Sequence, residues 1–245
     1  MSCLRVERKG AVTIFTIDNA ARRNVISQAT ALDLQRAFAA FDAERDQRVA
    51  IITGAGDDAF TAGADLNDIP EFWRCTPGAG IATDKPIIAA IAGWCIGGGL
   101  TLTATCDLAV AAENTRFFYP EAKIGLTQGF ITAIAARIPQ KVAMEIMLLG
   151  RQMSPQRAYE VGLINHVTPT GKQLEVALEM ANEIAGMAPL VIRTIKRFVG
   201  DILPKSPSEQ YARTLQQLEA IRTSEDLQEG QKAFKEKRPP RFEGR

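Results

Sequence analysis

Three consecutive glycines, Gly97-Gly98-Gly99, stand between an apolar run, Ile87–Ile91, and the stretch Leu100-Thr-Leu-Thr-Ala-Thr105. The run is too short for a helix and follows Pro86, so it reads as a buried strand; the stretch after the glycines can continue as a helix. Glycine at a helix start costs roughly 1 kcal/mol against alanine, so a chain that keeps three there needs bare backbone. Without a Cβ, a ligand can approach the main chain closely. The first N–H groups of a helix are unpaired and carry partial positive charge. Together these features suit a ligand oxygen that is, or becomes, negative. Close packing of helix on strand is the alternative reading of the same glycines.

Other chemistries are poorly supplied. The one histidine, His166, lies in the strand-like GLINHVTP, and no serine sits in a G-x-S-x-G turn, which argues against a Ser-His-Asp enzyme. Cys3, Cys75, Cys95 and Cys106 form no C-x-x-C pair, so neither a disulfide framework nor a zinc site is expected, and no metal ligand is assigned. Gly93-x-x-x-Gly97-Gly98-Gly99 is not the G-x-G-x-x-G of a dinucleotide fold.

The elements around the glycines read as mixed α and β. Leu4–Val6 and Val12–Ile17 suggest a hairpin about Lys9-Gly10, and Ser27 caps a helix through about Arg45. Val49–Ile52, Leu108–Ala112, Arg116–Tyr119 and Ile164–Val167 are short strands. Phe60–Leu66 opens a second small-residue stretch and is expected to lead into a helix, and residues 67–84 read as an irregular loop or lid. A helical stretch follows Gly129, and helices are expected at Pro139–Leu149, from Ser154-Pro155 to Gly162, and over 173–187, 189–200, 207–222 and 224–236. No repeat is visible in the sequence.

Composition sets the outer limits. The 245 residues are 46% hydrophobic and 23% charged with a net charge of +1, enough for one large domain with or without an appendage. That balance gives no reason to expect a nucleic acid or a membrane surface. The N-terminal MSCLRVERKG has no apolar signal core, Ile87–Leu100 is too short and glycine-rich to span a bilayer, and RFEGR carries no lipidation or peroxisomal signal. A cytoplasmic protein is expected.

Six stretches, in order along the chain, resemble the crotonase (enoyl-CoA hydratase/isomerase) superfamily. They are Phe60-Thr-Ala-Gly-Ala-Asp-Leu66, the span Lys85–Gly99, Cys106-Asp107, Tyr119-Pro-Glu-Ala-Lys-Ile-Gly125, Ala158–Asn165 and Ser224–Arg238. The resemblance covers nearly the whole length. It implies an α/β fold, a crotonase-like spiral of ββα turns, with a C-terminal helical trimerisation region. It divides the chain into a core with the acyl-CoA site over 1–190 and the trimerisation region over 191–245. A homotrimer or hexamer and an acyl-coenzyme A thioester substrate are implied. No separate cofactor is, since coenzyme A is part of the substrate.

The resemblance also assigns roles. The N–H groups of Ala64 and Gly98 match the pair that holds a thioester oxygen as it becomes an enolate. Each donor of such an oxyanion hole is typically worth about 10²–10³ in rate. Ala21, Arg22, Arg23, Ala62, Asp65 and Leu66 match coenzyme A contacts, and Phe234 and Lys237 match contacts made from the C-terminal region, often that of a neighbouring subunit. Arg22 and Arg23 also read as an ordinary solvated loop. Glu121, after Phe117, Phe118 and Tyr119, matches the family's second glutamate, which moves protons near neutral pH once an apolar pocket raises its pKa. Thr101 stands where hydratases carry the first glutamate, either filling space or hydrogen-bonding substrate or water. Gly129 matches a position whose N–H binds water or substrate, but Phe130-Ile-Thr follows where many relatives are glycine-rich. The segment between Asp65 and Lys85 is shorter than usual. A single glutamate is the pattern of some enoyl-CoA isomerases, so isomerase-like chemistry is expected. A hydratase with a substituted partner, or a non-catalytic acyl-CoA-binding relative, is the alternative.

Overall fold

A computed structural model describes residues 3–245. A six-stranded sheet forms the spine: β1 (Leu4–Lys9), β2 (Val12–Ile17), β3 (Val49–Gly54), β5 (Ile87–Ile91), β7 (Leu108–Ala112) and β9 (His166–Thr168), adjacent in that order. Only the β1–β2 hairpin is antiparallel; every other pair is parallel. A parallel sheet is covered on both faces, so its strands are apolar throughout instead of alternating. Here Val12, Ile14, Val49, Ile51, Ile88, Ala90 and Val110 face α6 (Gln173–Ala185), through Ala177 and Ala181. Phe15, Ile17, Ala50, Ile52, Ala89, Ile91, Ala109 and Ala111 face the main core.

Three of these strands are each followed by a three-residue strand in a second, parallel sheet. β4 (Ala59–Thr61) follows β3, β6 (Trp94–Ile96) follows β5, and β8 (Arg116–Phe118) follows β7. The chain therefore winds as a spiral of β-β turns, with α2 (Gly98–Thr105) closing the middle one. The repeat is one of backbone path, and the side chains do not repeat with it. Phe60–Leu66 does not open a helix, as its sequence suggested. Ala59–Thr61 is β4, and the chain then turns. Phe130–Ala136 is a 3-10 helix.

α1 (Gln28–Ala43) starts as read, with the Ser27 hydroxyl accepting from the Thr30 N–H. It buries Ala31, Leu34, Phe38 and Phe41, residues at helical spacing. Phe38 stacks on Phe15 with 4.0 Å between ring centroids, and Phe41 meets both edge-on. Each such pair adds about 0.5–1.5 kcal/mol to the burial itself.

After α4 (Gln140–Leu149) and α5 (Pro155–Glu160), the chain ends in helices: α6, α7 (Pro189–Ile202), α8 (Pro207–Arg222) and α9 (Glu225–Glu236). α8 opens with a full capping box between Ser206 and Glu209, and Glu209 is buried in an ion pair with Arg137 at 3.2 Å. The C-terminal strand of chain folds back on α9, where Arg238 grips Glu229 through two hydrogen bonds of 2.6 and 2.9 Å. That grip, chiefly the Arg238 hydrogen bonds, pulls the Glu229 carboxyl down to about 2. No helix among the described residues is long and apolar enough to cross a membrane.

Candidate active site

The site begins at the end of β4. Thr61 Oγ accepts from the Gly63 N–H at 3.0 Å and donates to the Asn24 carbonyl at 2.6 Å. Asn24, fully buried, holds the same turn from the other side: its amide donates to the Ala55 and Ala59 carbonyls at 3.0 and 2.7 Å, and its oxygen accepts from the Asn19 N–H. Arg23 and Asn24 both adopt positive φ, 52° and 54°, the left-handed region that costs a residue with a Cβ. Nothing in the sequence pattern marks Asn24, an asparagine in a polar loop; its importance appears only in these four bonds.

Residues 63–65 form a one-residue parallel bridge with Ile26. The Ile26 N–H donates to the Gly63 carbonyl at 2.8 Å, and the Asp65 N–H donates to the Ile26 carbonyl at 2.9 Å. Such a bridge uses the groups of the residues on either side, so the Ala64 N–H turns the other way. Among the described residues it finds no acceptor. The Gly98 N–H, at the first position of α2, finds none either. The two segments touch: a Cβ built on Gly63 would lie 2.8 Å from the Ile96 carbonyl oxygen and 3.2 Å from the Gly98 nitrogen. Gly63 (φ 84°) and Gly97 (φ 54°, ψ −109°) supply the backbone turns that no L-residue makes cheaply. The result is two free N–H groups on adjacent segments, one of them at a helix start.

Glu121 opens α3 (Glu121–Ile124), just after β8. A Cβ on Gly97 would overlap its Oε1, so the carboxylate sits directly on the bare face of that glycine. Its Oε2 is buried with no hydrogen-bond partner. Burial pushes the carboxyl from its ordinary 4.5 up to about 7, with its own backbone N–H offsetting part of that shift. A half-buried carboxyl with one oxygen buried and unpartnered, titrating near neutrality and set beside two free N–H groups, is the arrangement of a proton-transfer site. Gly97 was read only as part of the triplet, and its role as the seat of Glu121 rests on a contact 24 residues apart in sequence.

Thr101 is buried at 3% exposure, one turn along α2 from Gly97, whose carbonyl its N–H reaches at 3.3 Å. It thus stands on the Gly97 side of α2. Gly129 has φ 77° and lies against α8, where a Cβ would overlap the Ser208 hydroxyl. Phe130 is buried with Trp73, Ala79 and Ala212.

The other sequence-derived residues fall into two places. Ala21 and Arg22 form a surface 3-10 turn, and Arg23, exposed, accepts the Ala62 N–H at its carbonyl. Arg22 pairs with the buried Asp65 at 2.7 Å and holds its carboxyl below the ordinary range. Arg23 makes no ion pair among the described residues, and Leu66 is exposed. Phe234, 86% exposed, lines a cleft of about 550 Å³ with Ile221, Leu227 and Phe242 that includes none of the residues above. Lys237 ends α9 at φ 53°. A larger cleft, about 830 Å³, lies at the far end of α2 beneath α7 and also excludes Glu121, Ala64 and Gly98.

The chain matches the enoyl-CoA hydratase/isomerase family model over residues 7–74 and 79–245. The break falls inside the segment noted above as short. A carnitinyl-CoA dehydratase from Salmonella typhi is 34% identical over 258 residues, covering 99% of this chain and 98% of that protein. Among solved structures, a carnitinyl-CoA dehydratase from Mycobacterium avium 104 superposes with a TM-score of 0.77 at 33% identity, covering both chains fully. An enoyl-CoA hydratase from Bacillus anthracis superposes equally well, TM-score 0.77 at 29% identity over both full chains. With a spiral of this topology and matches that run from end to end, the chain belongs to the enoyl-CoA hydratase/isomerase family, the crotonase superfamily, and is an enzyme of that type.

Proposed function

We propose that this enzyme moves a proton at the α-carbon of an acyl-CoA thioester through an enolate. The Ala64 and Gly98 N–H groups hold the enolate oxygen, and Glu121 takes and returns the proton. The observation that carries this is the Glu121 carboxylate, its Oε1 set on Gly97 and its Oε2 buried without a partner, next to a free N–H pair. Donors fixed before the reaction cost nothing to reorganise as charge develops on the oxygen. The coenzyme A portion is held by Ala21, Arg22, Arg23, Ala62, Asp65 and Leu66, with Phe234 and Lys237 reaching it from a neighbouring copy. Because Asp65 already engages the Arg22 charge, Arg23 is the freer cation for a phosphate.

Within that chemistry, isomerisation of 3-enoyl to 2-enoyl thioesters is favoured over water addition. One carboxyl can take a proton from one carbon and return it to another. Addition of water also needs a group to activate the water, and Thr101 has no carboxylate. The second reading is reversible dehydration of a 3-hydroxyacyl thioester, favoured by the names of the relatives above. Products decide between them. The wild type is expected to form shifted alkene faster than 3-hydroxyacyl-CoA, and Thr101→Glu to raise hydration relative to isomerisation. Rapid hydration by the wild type, at the rate of an ordinary two-glutamate hydratase, would overturn the preference.

The working form is proposed to be a trimer or a dimer of trimers. α7 has no buried residue, and its Val191, Ile195, Phe198 and Ile202 stand 56%, 55%, 60% and 80% exposed. Their spacing makes one apolar face, too much to leave in water. Light scattering at micromolar concentration is expected to give three or six chain masses; a clean monomer would refute the assembly.

A further inference from the structure

We propose that Phe72 is the end wall of the acyl pocket and restricts this enzyme to short acyl groups, an inference that rests on the enolate reading above. Phe72 lies in the 3-10 turn Phe72–Cys75, inside the segment whose sequence showed only irregularity. A Cβ built on Gly98 would overlap its Cε2 and Cζ atoms. The ring therefore presses on the Cα of the residue whose N–H is one of the two free donors. On this proposal, a thioester with its carbonyl oxygen at Ala64 and Gly98 runs its acyl carbons up against this ring.

The ring is held firmly enough to act as a wall. It is 4% exposed and belongs to the main core with Phe60, Leu100 and Phe117. Its N–H donates to Gln128 Oε1 at 3.1 Å, and Gln128 Nε2 donates to the Pro70 carbonyl at 2.9 Å, so one side chain clamps both ends of residues 70–72. Gln128 is itself anchored, its carbonyl accepting the Ser208 hydroxyl of α8 at 3.1 Å. On the other side, Arg74 binds Glu71 at 2.8 Å and Gln35 of α1 at 3.0 Å, and Trp73 packs on Phe130 and Ala212. The segment is thus fixed to α1, to α8 and to the turn before Phe130. A close-packed wall does not yield to added methylenes without strain.

Methylene-scale discrimination in an apolar pocket amounts to about 10–200-fold. The experiment measures kcat/KM for 3-enoyl- and 2-enoyl-CoA thioesters of four to ten acyl carbons, with calorimetric binding of the matching saturated acyl-CoAs. It uses the wild type, Phe72→Ala, Phe72→Leu and Gln128→Ala. The wild type is expected to lose at least about tenfold in both rate and affinity between the short and long ends. Phe72→Ala should flatten that profile, Phe72→Leu should do so partly, and Gln128→Ala should shift it in the same direction through a looser wall. Should Phe72→Ala fail to fold, the wild-type profile and the leucine variant carry the test. A wild type that handles long and short chains alike, or folded Phe72 variants with its profile unchanged, would overturn the wall. A wild type that binds short acyl-CoAs selectively but turns none over would keep the wall and overturn the proposed reaction.

Discussion

Glu121→Gln is expected to lower turnover by about 10²–10⁴-fold while binding of acyl-CoA changes little, because a positioned acid–base group is worth about that much. Glutamine keeps the shape of the side chain on Gly97 and is neutral, so the pocket it occupies is undisturbed. The pH dependence gives the sign. Proton abstraction needs the carboxylate, which burial holds at a pKa of about 7, so kcat/KM for isomerisation should rise through neutrality and level off above it. Stability runs the other way. The folded carboxyl binds its proton more tightly than the unfolded one, whose ordinary value is 4.5, so stability should fall as pH rises from that value through about 7. Glu121→Gln should lack that decline, which urea midpoints at pH 5 and pH 8 will show. Wild-type turnover in the variant would make Glu121 structural.

Ala64→Pro should remove one of the two free N–H groups and cost about 10²–10³ in rate, the usual worth of one oxyanion donor. The local geometry makes this a fair test. The bridge to Ile26 uses the Gly63 carbonyl and the Asp65 N–H, both of which a proline at 64 leaves in place. Gly63 precedes it at φ 84°, and a glycine there is the residue best able to accommodate a following proline. Circular dichroism and the melting temperature establish that the variant folds. Full activity in a folded variant would show that the enolate oxygen is held elsewhere.

Much of this was legible where a local rule carries the signal. The triplet Gly97–Gly99 announced a bare helix start, and Ser27 announced α1 through a cap that the structure bears out. The runs Val49–Ile52, Ile87–Ile91 and Leu108–Ala112 announced short strands, and the structure gives the reason they are apolar throughout: a parallel sheet is covered on both faces. The second sheet was legible only in part: Arg116–Tyr119 reads as a strand and is β8, whereas Ala59–Thr61 and Trp94–Ile96 are three residues each, and a period of two cannot be read from three residues. With β4 too short to read, Phe60–Leu66 has the sequence of a helix opening, and with β4 and β6 both unreadable the spiral repeat stays hidden. Contacts made across the spiral were out of reach as well. Glu121 on Gly97, Phe72 on Gly98 and Asn24 on the β4 turn each join segments whose sequences carry no mutual signal.

The central claim is that Glu121 exchanges a proton with the α-carbon of a thioester whose enolate is held by backbone N–H groups. The most direct measurement is hydrogen exchange: a short saturated acyl-CoA incubated with the enzyme in heavy water and followed by NMR and mass spectrometry. It needs neither water addition nor double-bond migration. The wild type is expected to wash deuterium into the α-position only, and Glu121→Gln to do so at the uncatalysed rate. An α-position that stays protonated with the wild type, or that exchanges equally fast with the variant, would contradict the account.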